Sequence, residues 1–153
     1  MHWVLLPLKR YFDFSGRSRR MEYWSWALFT TLVGVVLAGP IVFDIMAASV
    51  ADPLAAEVDP FAGAGTLSII GVSLYGLFAL AIIIPSIAVV VRRLHDRDMS
   101  GWWYLGFIVV SLIPLVGFIA SIAFIVIMFL PGTEGPNRFG PDPKDPYNEE
   151  VFT

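Results

Sequence analysis

The sequence predicts an all-α membrane protein, with three transmembrane helices preceded by an N-terminal interfacial amphipathic segment. Three observations carry that prediction. Hydrophobic residues make up 57% of the 153 positions and charged residues only 15%, against about 45–50% and about 25% in soluble domains. The apolar residues gather in long runs with almost no charge, the pattern of membrane spans. Basic residues cluster before the first run and between the second and third, which gives the runs a direction. The chain divides into an interfacial segment at 1–23, a transmembrane domain at 24–130 and a Pro/Gly-rich acidic tail at 131–153.

The interfacial segment opens with MHWVLLPLKRYFDFS. Leu8, Tyr11 and Phe12 fall on one helical face, away from Lys9, Arg10 and Asp13, and Pro7 suits the first turn of a short helix lying on the headgroups. GRSRRMEYW follows, a basic cluster and then aromatics, which marks a headgroup boundary. The first span covers 24–43 and is uncharged, long enough to cross about 30 Å of hydrocarbon. Gly34, Ala38 and Gly39 give it a small face for close helix packing. Asp44 falls at the far interface. The loop DPLAAEVDPFAGAG has three acids and no base.

The second span covers 67–91 and carries Pro85, which removes a backbone hydrogen bond and predicts a kink, with Ser86 placed to satisfy a freed carbonyl. The third run, 102–130, is uncharged for 29 residues. As one helix it would be about 43 Å long, so a tilted span kinked at Pro114 and Gly117 is expected. The alternative is a re-entrant or helical hairpin turning at that point, with arms too short to span alone. The tail PGTEGPNRFGPDPKDPYNEEVFT cannot form a core. Its first part predicts surface turns, with Phe139 as a membrane anchor, and its end from Asp142 is expected to be mobile.

The same inventory excludes several functions. Net charge is −3, so no global basic field suggests nucleic acid. Cysteine is absent, which removes disulfides, thiol catalysis and cysteine-ligated metals from these 153 residues. The two histidines, His2 and His95, lie far apart without metal-ligand spacing, so no metal or cofactor is expected. MHWVLLPL has no basic start and no cleavage site, so no cleavable signal peptide is expected. Of ten Lys and Arg residues, five precede the first run and three lie between the second and third. The positive-inside rule therefore predicts a multi-pass protein with a cytoplasmic N-terminus.

Three motifs, FSGRSRRMEYW, RRLHDRDMSGWWYL and PGTEGPNRFGPDP, together resemble a family of small bacterial inner-membrane proteins, catalogued as domain of unknown function eight hundred and five. The resemblance runs from about Tyr11 to Pro143, with the motifs in the family's order. It implies an integral protein of the bacterial inner membrane and supplies no catalytic residues.

Candidate functional residues lie in the same motifs. Arg92 and Arg93 complement the C-terminal dipole of the second span and can bind lipid phosphates. Asp98 or Ser100 would cap the next helix, and Trp102 and Trp103 would anchor it. Topology does not need His95 and Asp96, which are candidates for a proton-linked switch, although helix neighbours do not face each other. Arg17, Arg19, Arg20, Arg92, Arg93 and Arg97 are expected at one interface, where arginine can grip phosphate with two parallel bonds. Together with His95 and Asp96 they form a candidate site for anionic lipid headgroups. In the tail, Asn137 tolerates a left-handed turn and Arg138 can pair with Asp142 or a headgroup. The function expected is a non-enzymatic, oligomerising or partner-binding envelope protein. Its partners would be membrane lipids and a second copy or another membrane protein. The alternative is a small oligomeric transporter or channel, which would normally carry ionisable groups inside the bilayer.

Overall fold

The computed structural model describes residues 2–51 and 64–144. Among the described residues five α-helices follow in order: α1 (His2–Lys9), α2 (Arg20–Ala51), α3 (Thr66–His95), α4 (Trp102–Ser111) and α5 (Val116–Phe129). Among the described residues there is no β-strand, only an isolated bridge between Asn137 and Gly140. The chain forms two compact units, one within Met1–Trp26 and Ile84–Thr153, the other within Ala27–Ile83.

The two long helices have the apolar composition and length that the first two runs predict. α2 has 32 residues and α3 has 30, or about 48 and 45 Å at 1.5 Å per residue. Both are long and apolar enough to cross a membrane. They also extend past the predicted spans, because residues flanking the uncharged runs continue the helical hydrogen bonding. α2 contains Pro40 and α3 contains Pro85. Ser86 accepts the indole N–H of Trp26 at 3.0 Å, a use of that hydroxyl the sequence did not suggest.

Within the second unit, α2 and α3 approach through small residues. Gly34 faces the Tyr75 ring and Gly71 faces the Leu37 carbonyl. Phe29 and Phe78 meet edge to face, 6.4 Å between centroids. Asp44 ties the start of α3 to α2, accepting the Gly65 N–H at 2.8 Å and the Ser68 hydroxyl at 2.6 Å. A carboxylate there also meets the positive end of the α3 dipole.

The third run corrects an expectation. It is not one kinked span over 102–130 but two short antiparallel helices, as in the hairpin alternative. Tyr104 and Phe107 of α4 both contact the Phe124 ring of α5, with centroids at 6.0 and 5.2 Å. The physical cause lies in the turn. Pro114 carries no N–H with which to continue the helix, and Leu115 takes a φ of +65°. At Gly117 a Cβ would overlap the Ser111 carbonyl, so only glycine lets the second arm leave so close to the first.

Two smaller expectations are corrected at the ends. α1 stops at Lys9, so Tyr11 and Phe12 lie beyond it and do not extend its apolar face. A compact turn follows, in which the Asp13 carboxylate takes Arg10 Nε at 2.8 Å and the Ser15 N–H at 3.0 Å. At the other end Asp142 accepts the Gly135 N–H at 3.1 Å and the Lys144 N–H at 2.9 Å, so residues 142–144 are tied in rather than free. The expectation for 145–153, and that for most of the acidic loop at 52–63, lies outside the described residues.

Candidate functional site: a buried arginine knot

The last turn of α3 carries Arg92, Arg93 and His95, and the two arginines place positive charge at the negative end of the helix dipole. Arg92 and Arg93 have no solvent exposure, and Arg17, Glu22 and Asp96 are also buried. Arginines at a membrane surface normally reach outward toward phosphate or water. Here they turn inward because each finds an internal partner.

Asp96 is the centre. Its carboxylate takes Arg17 Nε at 3.0 Å, and the Arg93 guanidinium from one helical turn earlier. Two cations thus share one anion. The remaining guanidinium N–H groups go to carbonyls: Arg17 donates to Gly135 at 2.6 Å and Thr133 at 2.5 Å. Arg93 donates to the Met128 carbonyl at 3.2 Å and also to that of Leu130. Those two carbonyls belong to the C-terminal end of α5, where the last C=O groups have no partner inside the helix. Arg93 therefore closes the hairpin onto α3. A second pair joins Arg92 Nη2 to Glu22 Oε1 at 2.8 Å, while the Ser18 hydroxyl donates to the other oxygen of Glu22 at 2.7 Å. Arg92 also donates to the Asp13 carbonyl, which ties in the N-terminal turn.

The tail completes the knot. The Thr133 N–H donates to the Asp96 carbonyl at 2.8 Å. Asn137 Nδ2 donates to the His95 carbonyl at 2.9 Å, while Asn137 and Gly140 exchange backbone bonds across a tight turn. Gly132 passes so close to Asp96 that a Cβ there would overlap the carboxylate. Below these polar groups Val90, Leu94 and Met128 form an apolar cluster, flanked by Tyr23, Trp24 and Phe124. The Trp24 ring stacks on Phe129 at 4.0 Å.

The predicted site residues separate into groups. Arg17, Arg92, Arg93, Asp96 and Asn137 are brought together. His95 is not joined to Asp96: its Nδ1 faces the Gly16 carbonyl at 3.1 Å and its ring stacks on Phe139 at 3.9 Å. Phe139, expected as a membrane anchor, thus packs inside the motif. Arg138 pairs with Asp98 at 3.1 Å rather than with Asp142, and Asp142 approaches Arg17 at 4.0 Å. Ser100 reaches the Trp102 N–H only at 3.4 Å, while Asp98 is taken up by Arg138. Arg19 donates to the Pro143 carbonyl and lies over the Trp3 ring at 5.4 Å. Arg20 is exposed, with one bond of 3.2 Å to the Phe129 carbonyl. Arg97 donates to the Pro131 carbonyl, and its buried Nε has no partner.

Sequence reasoning missed Glu22, Thr133 and Gly132 as parts of this centre. Glu22 left a readable signal, a lone acid two residues after an arginine cluster. Thr133 and Gly132 left none, because a backbone contact depends on where the tail returns.

Asp142 shows the electrostatic effect outside the helices. Partial burial pushes its carboxyl up, but the N–H groups of Lys144 and Gly135 and the charge of Arg17 hold it below the ordinary carboxylate value.

Apolar helices of spanning length, with an inward-turned polar knot, define an all-α membrane protein whose buried charges are bonded internally. The chain belongs to the family described as "Protein of unknown function (DUF805)", which matches residues 11–141. It is 36% identical over 144 residues to the inner membrane protein YhaI of Escherichia coli K12, covering 94% of this chain and 97% of that protein. It is 38% identical over 144 residues to the inner membrane protein YhaH of the same strain, covering 94% and 98%. A third relative in that strain, the uncharacterized protein YiiR, is 26% identical over 152 residues, covering 88% of each chain. No solved structure matches the chain.

Proposed function

We propose that this inner-membrane protein crosses the bilayer twice, keeps both ends in the cytoplasm, and serves as a non-enzymatic, oligomerising envelope component that holds anionic lipid at its arginine rim. The observation that carries the topology is the knot. Arg17, Asp96 and Thr133 come from before α2, after α3 and after α5, and they bond to one another. Three such segments can meet only on one side of a membrane. With the tail on that side, all ten Lys and Arg residues share it, while the loop between α2 and α3 has three acids and no base. That is a stronger positive-inside bias than three crossings would give.

The internal bonding of Arg17, Arg92, Arg93 and Asp96 supports a structural rather than a catalytic use. It also moves headgroup contact toward the rim. Arg20 is exposed beside the end of α5, and Arg97 is partly exposed there, with one guanidinium N–H on the Pro131 carbonyl. Their outward N–H groups suit phosphate, whereas the guanidinium groups of Arg17, Arg92 and Arg93 are buried on carboxylates and carbonyls inside the protein. Oligomerisation is supported by an open groove of about 630 Å³ along α2 and α3, lined by Thr31, Gly34, Ala38, Gly39 and Tyr75. Small residues of this kind let a second helix approach closely.

A reporter active only in the cytoplasm, fused after Thr153, should be active; silence overturns the two-crossing topology. Native mass measurement with phosphatidylglycerol present should show an oligomer retaining lipid. The Arg20→Ala/Arg97→Ala variant should keep its oligomeric state and lose most of that lipid. Unchanged retention removes the rim site, and a bare monomer removes the oligomeric reading.

A further inference from the structure

We infer that the α4–α5 hairpin is a one-leaflet wedge, whose partner is the acyl chains of the leaflet that carries the arginine knot. α4 has 10 residues and α5 has 14, or about 15 and 21 Å against a hydrocarbon core of about 30 Å. Neither arm can cross. Yet 102–130 holds no charged residue, and the hairpin is far too apolar for water. No residue of α4 is buried, and α5 buries only Gly117 and Met128.

The exposure identifies the occupant. Trp103, Val109 and Leu112 of the first arm and Phe118, Ile122 and Val126 of the second are all substantially exposed. Round α4 these positions lie on more than one face; Phe118, Ile122 and Val126 share one face of α5, which exposed Val116, Ile119 and Ile125 widen well beyond a single stripe. A protein partner covers one face and would leave the others in water. A helix that is apolar all round is solvated by lipid or fully enclosed.

The ends set the depth. At the base Trp102 and Trp103, 74% and 56% exposed, form an aromatic belt beside the polar knot. At the tip Leu112 and Leu115 are 78% and 76% exposed. An irregular turn is tolerated in hydrocarbon only if its backbone is satisfied. Here the N–H groups of Leu112, Ile113, Val116 and Gly117 each bond a nearby carbonyl and Pro114 has none to satisfy, which leaves only the Leu115 N–H of the turn unbonded. The tip therefore reaches the neighbourhood of the bilayer midplane and returns. Two helices of about 10 Å diameter add cross-section to that leaflet alone, whereas α2 and α3 add it to both.

The assignment of the leaflet rests on the two-crossing topology; the depth does not. The chain has no cysteine, so single cysteines at Phe14, Leu115, Phe118 and Glu134 can each carry a nitroxide label. The labelled proteins are placed in vesicles of phosphatidylcholine and phosphatidylglycerol. Labels at Leu115→Cys and Phe118→Cys should be relaxed by oxygen and protected from a water-soluble nickel chelate on both faces. Labels at Phe14→Cys and Glu134→Cys should be reduced by an impermeant reductant from the same face. Chelate reaching the tip from either face overturns the wedge. Protection from oxygen as well as chelate also overturns it, since protein then covers the tip. Opposite-face reduction of the Phe14 and Glu134 labels overturns the topology while leaving the depth result standing. Phe118→Cys supplies the reading if the tip variant fails to fold.

Discussion

The arginine knot and the α4–α5 hairpin lie next to each other in one compact unit, and they are held by opposite means. In the knot every buried charge is matched: Asp96 by Arg17 and Arg93, Glu22 by Arg92 and Ser18. In the hairpin there is nothing to match, because 102–130 contains no charge at all. The knot is sensitive to the loss of a single partner and indifferent to its surroundings. The hairpin is sensitive to its surroundings and tolerant of apolar exchange. Arg93 connects the two, since its guanidinium binds Asp96 and also caps the carbonyls at the end of α5.

The largest effect should come from removing the shared anion. Asp96→Asn keeps the shape and leaves Arg17 and Arg93 buried without a carboxylate, which should cost about 3–5 kcal/mol. Unfolding in mixed detergent micelles should show it as a large fall in midpoint. Asp98→Asn is the contrasting change two residues away. Its pair with Arg138 is exposed, with side chains 48% and 61% accessible, so its loss should cost under about 1 kcal/mol. Equal effects at the two positions would mean that the knot's burial contributes nothing.

The hairpin should respond to charge as the knot responds to its removal. Phe118→Arg places a cation near the deepest part of the acyl region, for a cost of about 2.5–3.5 kcal/mol on membrane-insertion scales. Phe118→Leu should cost under about 1.5 kcal/mol, being close to a volume-conserving exchange. Protease protection of the hairpin in membranes reads both. If the arginine variant is tolerated like the leucine one, the hairpin is not in lipid.

Gly132→Ala tests the knot by crowding rather than deletion. The added methyl overlaps the Asp96 carboxylate, and overpacking of this kind costs about 1–3 kcal/mol. The same substitution at Gly135, whose Cβ would meet nothing within 4 Å but whose φ is +71°, carries backbone strain without the clash. A larger midpoint loss at 132 than at 135 is expected; the reverse order would put the tail's turn, not its contact with Asp96, in control.

Much of this contrast was legible in the sequence, and the rest was not for definite reasons. Hydropathy identified α2 and α3 because an uncharged run of spanning length has few other uses. It could not divide 102–130, since Pro114 and Gly117 fit a kink as well as a reversal, and only the return of the tail to Asp96 separates them. The motifs marked Arg17, Arg92 and Arg93 as important, but suggested that they face lipid. Their inward turn depends on Glu22 and Asp96 being within reach, a matter of tertiary placement. His95 and Asp96 are adjacent in the chain, yet the helix end sends one to Phe139 and the other to the arginines.

The smallest expected effect concerns Asp13, a carboxylate of the N-terminal turn that lies outside the knot but supplies a carbonyl to it. Its partial burial pushes the carboxyl up, but hydrogen bonds from Ser15 and Arg10 and the charge of Arg10 outweigh this and bring it down from 3.8 to about 2. Because the folded value lies below the ordinary one, the contribution to stability is complete above pH 3.8 and is lost as the pH falls through about 2. The gap in midpoint between the parent chain and Asp13→Asn should therefore be steady at neutral pH and close across that acid window. The side chain is 35% exposed, so solvent screens the pair and the gap should be small beside that of Asp96→Asn. A gap that persists below the window would assign the turn's stability to the Asp13 side chain's shape and neutral hydrogen bonding instead of its charge, and would remove ionisation from what holds the N-terminal segment against Arg92.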